Sequence, residues 1–161
     1  MLFLAGEHYD CHPHVVRGDG SGLRKLADRG GYKGVVEFLD VPDFHGGSSD
    51  VPVWSTDGRS VFYTALKDNA VELFRTSLEG APKRLTTSAP GALHYHPTPS
   101  PNGEWLAYGS KADGVRQVSV MRLADRQERQ ITHSKPGHAG MWPFWQPASR
   151  PGARRDLVPE R

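Results

Sequence analysis

The chain has 161 residues, with 20 Lys and Arg against 18 Asp and Glu, and 37% of its residues are hydrophobic. That length suits one domain. The net +2 resides in residues 149–161, where Arg150, Arg154, Arg155 and Arg161 face Asp156 and Glu160, so the neutral body before them implies no basic face for nucleic acid. Cys11 is the single cysteine, which excludes an internal disulfide framework and leaves the redox compartment undecided. No apolar run approaches a membrane span, and the opening Met1-Leu2-Phe3-Leu4-Ala5-Gly6 is too short for a signal peptide and lacks a basic start.

In chain order, Leu2-Phe3-Leu4-Ala5 predicts a strand. His14-Val15-Val16-Arg17 and Leu23-Arg24-Lys25-Leu26 predict two more around Gly18-Asp19-Gly20-Ser21-Gly22, a turn rich in residues that tolerate φ > 0. The connection from Ala27 to Asp50 is longer than its later counterpart from Thr87 to Tyr95. It carries Tyr32, Val35, Val36, Phe38, Leu39, Val41 and Phe44 before Gly46-Gly47-Ser48-Ser49. It reads as an insertion packed on the face of the fold, with a binding loop as the sharper alternative.

From Val51 the chain repeats. Trp54-Ser55-Thr56-Asp57-Gly58 leads into Val61-Phe62-Tyr63-Thr64-Ala65, and 45 residues later Pro99-Ser100-Pro101-Asn102-Gly103 leads into Trp105-Leu106-Ala107-Tyr108-Gly109. A further 46 residues on, Trp142-Pro143-Phe144-Trp145-Gln146-Pro147 begins the pattern again. Asp-Gly and Asn-Gly between strand-forming runs predict tight hairpins. Val71-Glu72-Leu73-Phe74-Arg75 answers Gln117-Val118-Ser119-Val120-Met121-Arg122, and Lys83-Arg84-Leu85-Thr86 answers Arg129-Gln130-Ile131-Thr132. At an offset of 59, Leu2 to Ala5 match Val61 to Thr64 and Leu26 matches Leu85.

A period in the forties built of four short strands is the signature of a propeller blade. The expectation is an all-β chain with strands near 60–66, 70–76, 82–86, 104–110, 116–122 and 128–132. With strands A to D counted from axis to rim, it is a partial β-propeller of about three four-stranded antiparallel blades: B-C-D of one blade, two full blades at about 51–86 and 96–132, and strand A of the next at about 142–146. Residues 1–148 are then the propeller, and 149–161 a basic tail expected to be disordered. Three strands at one end and one at the other match the way many propellers seal their ring. This arithmetic predicts a C-terminus that closes such a ring and a start inside a longer propeller. Two copies are complementary head to tail, so a homodimer closing a six-bladed ring is a further expectation.

The run from Arg84-Leu85-Thr86 through Ser100-Pro101-Asn102-Gly103 to Tyr108-Gly109-Ser110 resembles the TolB-type, WD-repeat-like propeller repeat. The copies have drifted, with Ser-Thr-Asp-Gly at Ser55 to Gly58 and Gln146-Pro147-Ala148 in the last. The resemblance implies a fold shared by periplasmic translocation proteins, oligogalacturonate lyases and peptidase propellers. By it the chain is expected to be periplasmic or extracellular, and to act as a scaffold binding a protein or cell-envelope partner. The lyases imply the alternative of a metal-assisted polysaccharide lyase.

Eight histidines sharpen that alternative. Alignment of the inner strands places Val51, His96 and Trp142 at one blade position, each followed by proline. Loops before such strands meet near a central channel, so His94, His96, His138 and also His45 and Asp50 are candidates for its mouth. Imidazole and carboxylate suit zinc, manganese or iron, which makes His94, His96 and His138 the candidate metal ligands. The competing reading is that they hydrogen-bond loop backbone, with no cofactor. Asp50, His94, His96, His138 and Trp142 are also the candidate partner-binding residues. His12 and His14 map to a third strand and read as surface, while Trp54, Trp105, Trp142, Trp145, Tyr63 and Tyr108 read as core between blades. No catalytic residue is assigned: Gly-x-Ser-x-Gly is absent, and no helical pattern follows Gly18 to Gly22.

Overall fold

The computed structural model describes residues 1–7, 10–31 and 51–148. Asp50, His45, most of the long connection and the tail 149–161 lie outside the described residues. The described residues are all-β, in eleven strands and no helix.

β1 (Leu2–Glu7), β2 (Asp10–Val15) and β3 (Arg24–Lys25) form one three-stranded sheet. β4 (Val53–Trp54), β5 (Ser60–Lys67), β6 (Ala70–Ser77) and β7 (Lys83–Arg84) form a four-stranded blade. The next blade is β8 (Leu93–Pro99), β9 (Trp105–Lys111), β10 (Arg116–Arg122) and β11 (Glu128–Gln130). Every pairing within a blade is antiparallel, and a single parallel pair, Val71 with Leu93, joins the two full blades at the crossover. The chain is a partial propeller, and the three sheets are B-C-D of one blade and two complete blades.

The turns explain the regularity. Ser55 accepts the Gly58 amide at 2.8 Å and its hydroxyl donates to Asp57 at 2.5 Å, while Ser100 accepts the Gly103 amide at 2.9 Å and its hydroxyl donates to Asn102 at 2.6 Å. Gly58 and Gly103 take φ of 67° and 72°, which a side chain would strain. Asp68 and Asn69, both at positive φ, make the two-residue turn between β5 and β6.

Period-two alternation places the core. On one face of the middle blade Phe62 and Leu73 pack with Leu106, Tyr108 and Met121 of the following blade. On the other face Tyr63 and Ala65 pack with Ala27 of the first sheet, and Phe74 lies against them. A blade covered on both sides needs apolar residues at successive positions, which is why Val61, Phe62, Tyr63, Thr64 and Ala65 are all buried. Arg29, only 1% exposed, clamps the first sheet to the middle blade: its guanidinium donates to the Thr64 carbonyl at 2.8 Å and hydroxyl at 2.9 Å, and its carbonyl accepts the Leu66 amide at 2.9 Å.

Two expectations change. None of the four tryptophans is fully buried, and Trp142 is 48% exposed, because the buried faces are filled from strands B and C. Residues 142–146 carry the A-strand pattern but join no ladder, since the described residues hold no B strand beside them. They are instead held against β8, where the Trp145 indole donates to the Thr98 carbonyl at 2.8 Å.

Candidate functional site

Strand A of a blade lies nearest the axis, so its entry is where successive blades converge. The chain enters these strands through Val51-Pro52, His96-Pro97 and Trp142-Pro143. His96 and Trp142 both adopt φ of 51°, a left-handed conformation uncommon for such residues. At His96 it accompanies a register shift in β8 between Tyr95 and Thr98. The two rings lie 5.8 Å apart, tilted, and Tyr95 meets His96 edge-on at 5.5 Å.

Between these entries lies a pocket of about 240 Å³ lined by Val51, Val53, His96, Thr98, Trp142 and Phe144, with Pro97 and Pro143. Val51 is 53% exposed and Phe144 88%, so with Trp142 they form an exposed apolar rim. A second hollow of about 270 Å³ lies between the hairpin turns at Thr56 and Asn102. Its hydroxyls are committed to the fold: Thr56 donates to the Ser100 carbonyl at 2.7 Å, and Ser55 and Ser100 to their own turns. The axial pocket is the candidate site.

Of the residues expected at the channel mouth, the structure brings His96 and Trp142 together and places His94 and His138 elsewhere, while His45 and Asp50 lie outside the described residues. His94 is buried between blades, where its Nδ1–H donates to the Val71 carbonyl at 2.9 Å, with Glu72 at 3.5 Å and the Tyr108 ring at 5.5 Å. His138 is exposed in the loop after β11, its amide bonded to the Lys135 carbonyl. Among the described residues no three His, Cys, Asp or Glu side chains are grouped to hold a metal ion. Val53, Thr98 and Phe144 were not singled out by sequence, although they are one repeat position, spaced by 45 and 46.

The other arrangement that sequence reasoning missed is a polar latch. Glu72 on β6 accepts the Thr86 hydroxyl and the Ser88 amide, the latter at 2.6 Å, while Thr86 Oγ1 accepts the Leu73 amide at 2.9 Å. Gln117 on β10 accepts the Thr132 hydroxyl at 2.8 Å and the Ser134 amide at 2.9 Å, and Thr132 accepts the Val118 amide at 2.8 Å. In the first sheet, His12 Nδ1 accepts the Arg29 amide at 3.3 Å, and Ala27 stands where Thr86 would. His12 is therefore largely buried, not a surface residue. The latch fixes the crossover that delivers each new strand A to the axis.

Electrostatics keep Glu72 charged. Burial pushes its carboxyl up, but hydrogen bonds from Thr86, Arg84 and the Ser88 amide, with His94 nearby, outweigh it and hold the pKa below the ordinary value. Arg84 reaches Glu72 at 2.9 Å and Asp68 at 2.5 Å. Burial pushes the Tyr95 hydroxyl up to about 12, against a small opposing effect of Arg116, and raises Tyr63 and Tyr108 as well.

Comparison with known proteins agrees with this architecture. No known family profile matches the chain. An uncharacterised protein of Agrobacterium fabrum, Atu1656, is 26% identical over 84 residues, 52% of this chain and 28% of that protein. Among solved structures, a protein assigned as TolB from Agrobacterium tumefaciens superposes with a TM-score of 0.59 at 17% identity, covering 81% of this chain and 44% of its own. TolB from Acinetobacter baumannii gives 0.58 at 16% identity over 81% of this chain and 30% of its own. A puromycin hydrolase gives 0.54 at 17% identity over 83% of this chain and 21% of its own. The chain thus spans less than half the length of each, and at these identities the likeness is one of fold: a TolB-like propeller.

Proposed function

We propose that this propeller module binds a protein partner, in the cell envelope, and that the partner docks an apolar or aromatic segment in the axial pocket. The observation that carries the reading is the rim of Val51, Trp142 and Phe144, three large apolar side chains exposed together around one pocket. Soluble chains seldom expose such groups side by side without a partner, and aromatic anchors seated in pockets dominate protein recognition. His96 and the polar atoms of Thr98 at the pocket wall supply direction. The periplasmic or extracellular setting is drawn from the TolB-like fold. Residues 1–148 make the module and 149–161 a separate tail.

Selection from a displayed random peptide library tests it. Peptides rich in apolar and aromatic residues should be recovered that bind the full chain and lose binding to Trp142→Ala and Phe144→Ala, while Ile131→Ala binds as before. Recovery of no binder, or of binders indifferent to both pocket variants, sinks the reading. Metal analysis separates it from polysaccharide cleavage: stoichiometric manganese, zinc or iron, lost on His96→Ala, would replace it with the lyase.

A further inference from the structure

The hollow between the hairpin turns holds a charge that the repeat does not call for. Across the β5–β6 ladder Phe62 faces Arg75, and 45 residues on, across β9–β10, Ala107 faces Val120. The later blade buries an apolar pair where the middle blade sets a cation against an aromatic ring. The Arg75 guanidinium lies 5.4 Å from the centroid of the Phe62 ring, and its Nε donates to the Ser60 hydroxyl at 2.7 Å. Those two contacts orient the fork and leave its two terminal nitrogens without a hydrogen-bond partner among the described residues. Arg84 and Arg122, also half-buried on the full blades, spend terminal nitrogens on carboxylates, Arg84 on Asp68 and Glu72 and Arg122 on Asp125.

Asp57 lines the same hollow from its turn. Its Oδ1 accepts the Ser55 hydroxyl at 2.5 Å and the Arg59 amide at 3.0 Å, and these bonds hold the carboxyl below its ordinary value. Its Oδ2 accepts no hydrogen bond among the described residues, and Arg75 acts on it through space only. Phe62, Pro99 and Leu123 supply apolar wall, and at about 270 Å³ the hollow is smaller than the ~300 Å³ at which pockets for drug-sized ligands begin.

We propose that this hollow binds a zwitterion of amino-acid size, with its carboxylate on the Arg75 fork, its ammonium on Asp57 and its side chain against the apolar wall. A planar guanidinium with both terminal nitrogens open takes a carboxylate bidentately, and a fork already oriented loses little freedom on binding. Asp57 repels a plain carboxylate, so the residue that favours the ammonium also rejects simple acids. The inference goes beyond the protein-binding reading, whose axial pocket shares no residue with this hollow.

Titration of the isotope-labelled full chain with norvaline, butyrate and butylamine, followed by amide and arginine Nε–H shifts, decides it. Norvaline should give saturable shifts at Thr56, Asp57, Asn102, Gly103 and the Arg75 Nε, and butyrate and butylamine should each bind at least ~10-fold more weakly. Arg75→Gln should weaken norvaline by ~10-fold or more. Asp57→Asn copies Asn102, which holds the same place in the next turn, so it keeps the fold even if Arg75→Gln disturbs the Ser60 contact. It should bring norvaline down to the level of butyrate. No saturable shift with norvaline, shifts centred outside the hollow, butyrate binding as tightly as norvaline, or unchanged norvaline binding in either variant overturns the proposal.

Discussion

Glu72 and Gln117 hold the same station in consecutive blades: each accepts the amide of a serine, Ser88 at 2.6 Å and Ser134 at 2.9 Å, and each accepts the hydroxyl of a threonine. One is charged and the other neutral, so the station requires acceptors, and the charge at Glu72 belongs to its pairing with Arg84. Glu72→Ala should destabilise by ~2–4 kcal/mol, because it orphans the Ser88 amide and the Thr86 hydroxyl and takes one of two carboxylates from Arg84, which keeps Asp68. Glu72→Gln should cost ~1 kcal/mol, since the amide oxygen repeats what Gln117 does. Urea unfolding measures both, and equal losses would refute the equivalence.

Acid stability follows from the same carboxylate. Its folded pKa is depressed, so the stability it contributes is present above the ordinary value of 4.5 and is lost as pH falls through the lower folded value. Unfolding free energy should decline as the pH is lowered below about 4.5, the ordinary value. The Glu72→Gln chain should decline less steeply over that window.

Tyrosine governs the alkaline side. The Tyr95 hydroxyl is buried with no hydrogen-bond partner among the described residues, and its pKa is raised from 10 to about 12. A raised folded value means stability is intact below pH 10 and lost as pH climbs toward 12. Tyr95→Phe should leave stability at pH 7 unchanged or raise it by ~1 kcal/mol, because an unsatisfied hydroxyl is removed. It should also soften the loss above pH 10. A drop of several kcal/mol at neutral pH would show that the hydroxyl is bonded.

Close packing at one glycine makes a fourth test. The Tyr95 ring lies over Gly109, its cross-strand neighbour, and a Cβ there would overlap the ring. Gly109→Ala should destabilise by ~1–3 kcal/mol. The same change in a Tyr95→Ala background should cost less, and a double-mutant cycle reads the coupling. Additive losses would mean that the ring does not rest there.

Much of the fold was legible because its determinants are local. Asp57-Gly58 and Asn102-Gly103 announce hairpins, and Val61 to Ala65 and Leu106 to Tyr108 announce strands buried on both faces. The two full blades therefore fall within two or three residues of the expected bounds. The latch was illegible as chemistry, although Thr86 with Thr132 and Ser88 with Ser134 share an offset of 46. Short polar residues after a strand look like ordinary loop, and only the register shows which strand they return to. His94 misled for the opposite reason. Two positions before His96, it sits on the same side of a regular strand in the alternation rule, but the shift in β8 between Tyr95 and Thr98 separates them. His96 stays at the pocket while His94 enters the blade interface.

The account turns on the axial pocket as the place where a partner docks. Titration of the isotope-labelled chain with a selected peptide, followed by amide chemical shifts, tests that directly. The account predicts that the largest changes cluster at Val51, Val53, His96, Thr98, Trp142 and Phe144. Changes centred instead on Thr56, Asn102 and Gly103 between the hairpin turns, with the axial residues still, would contradict it.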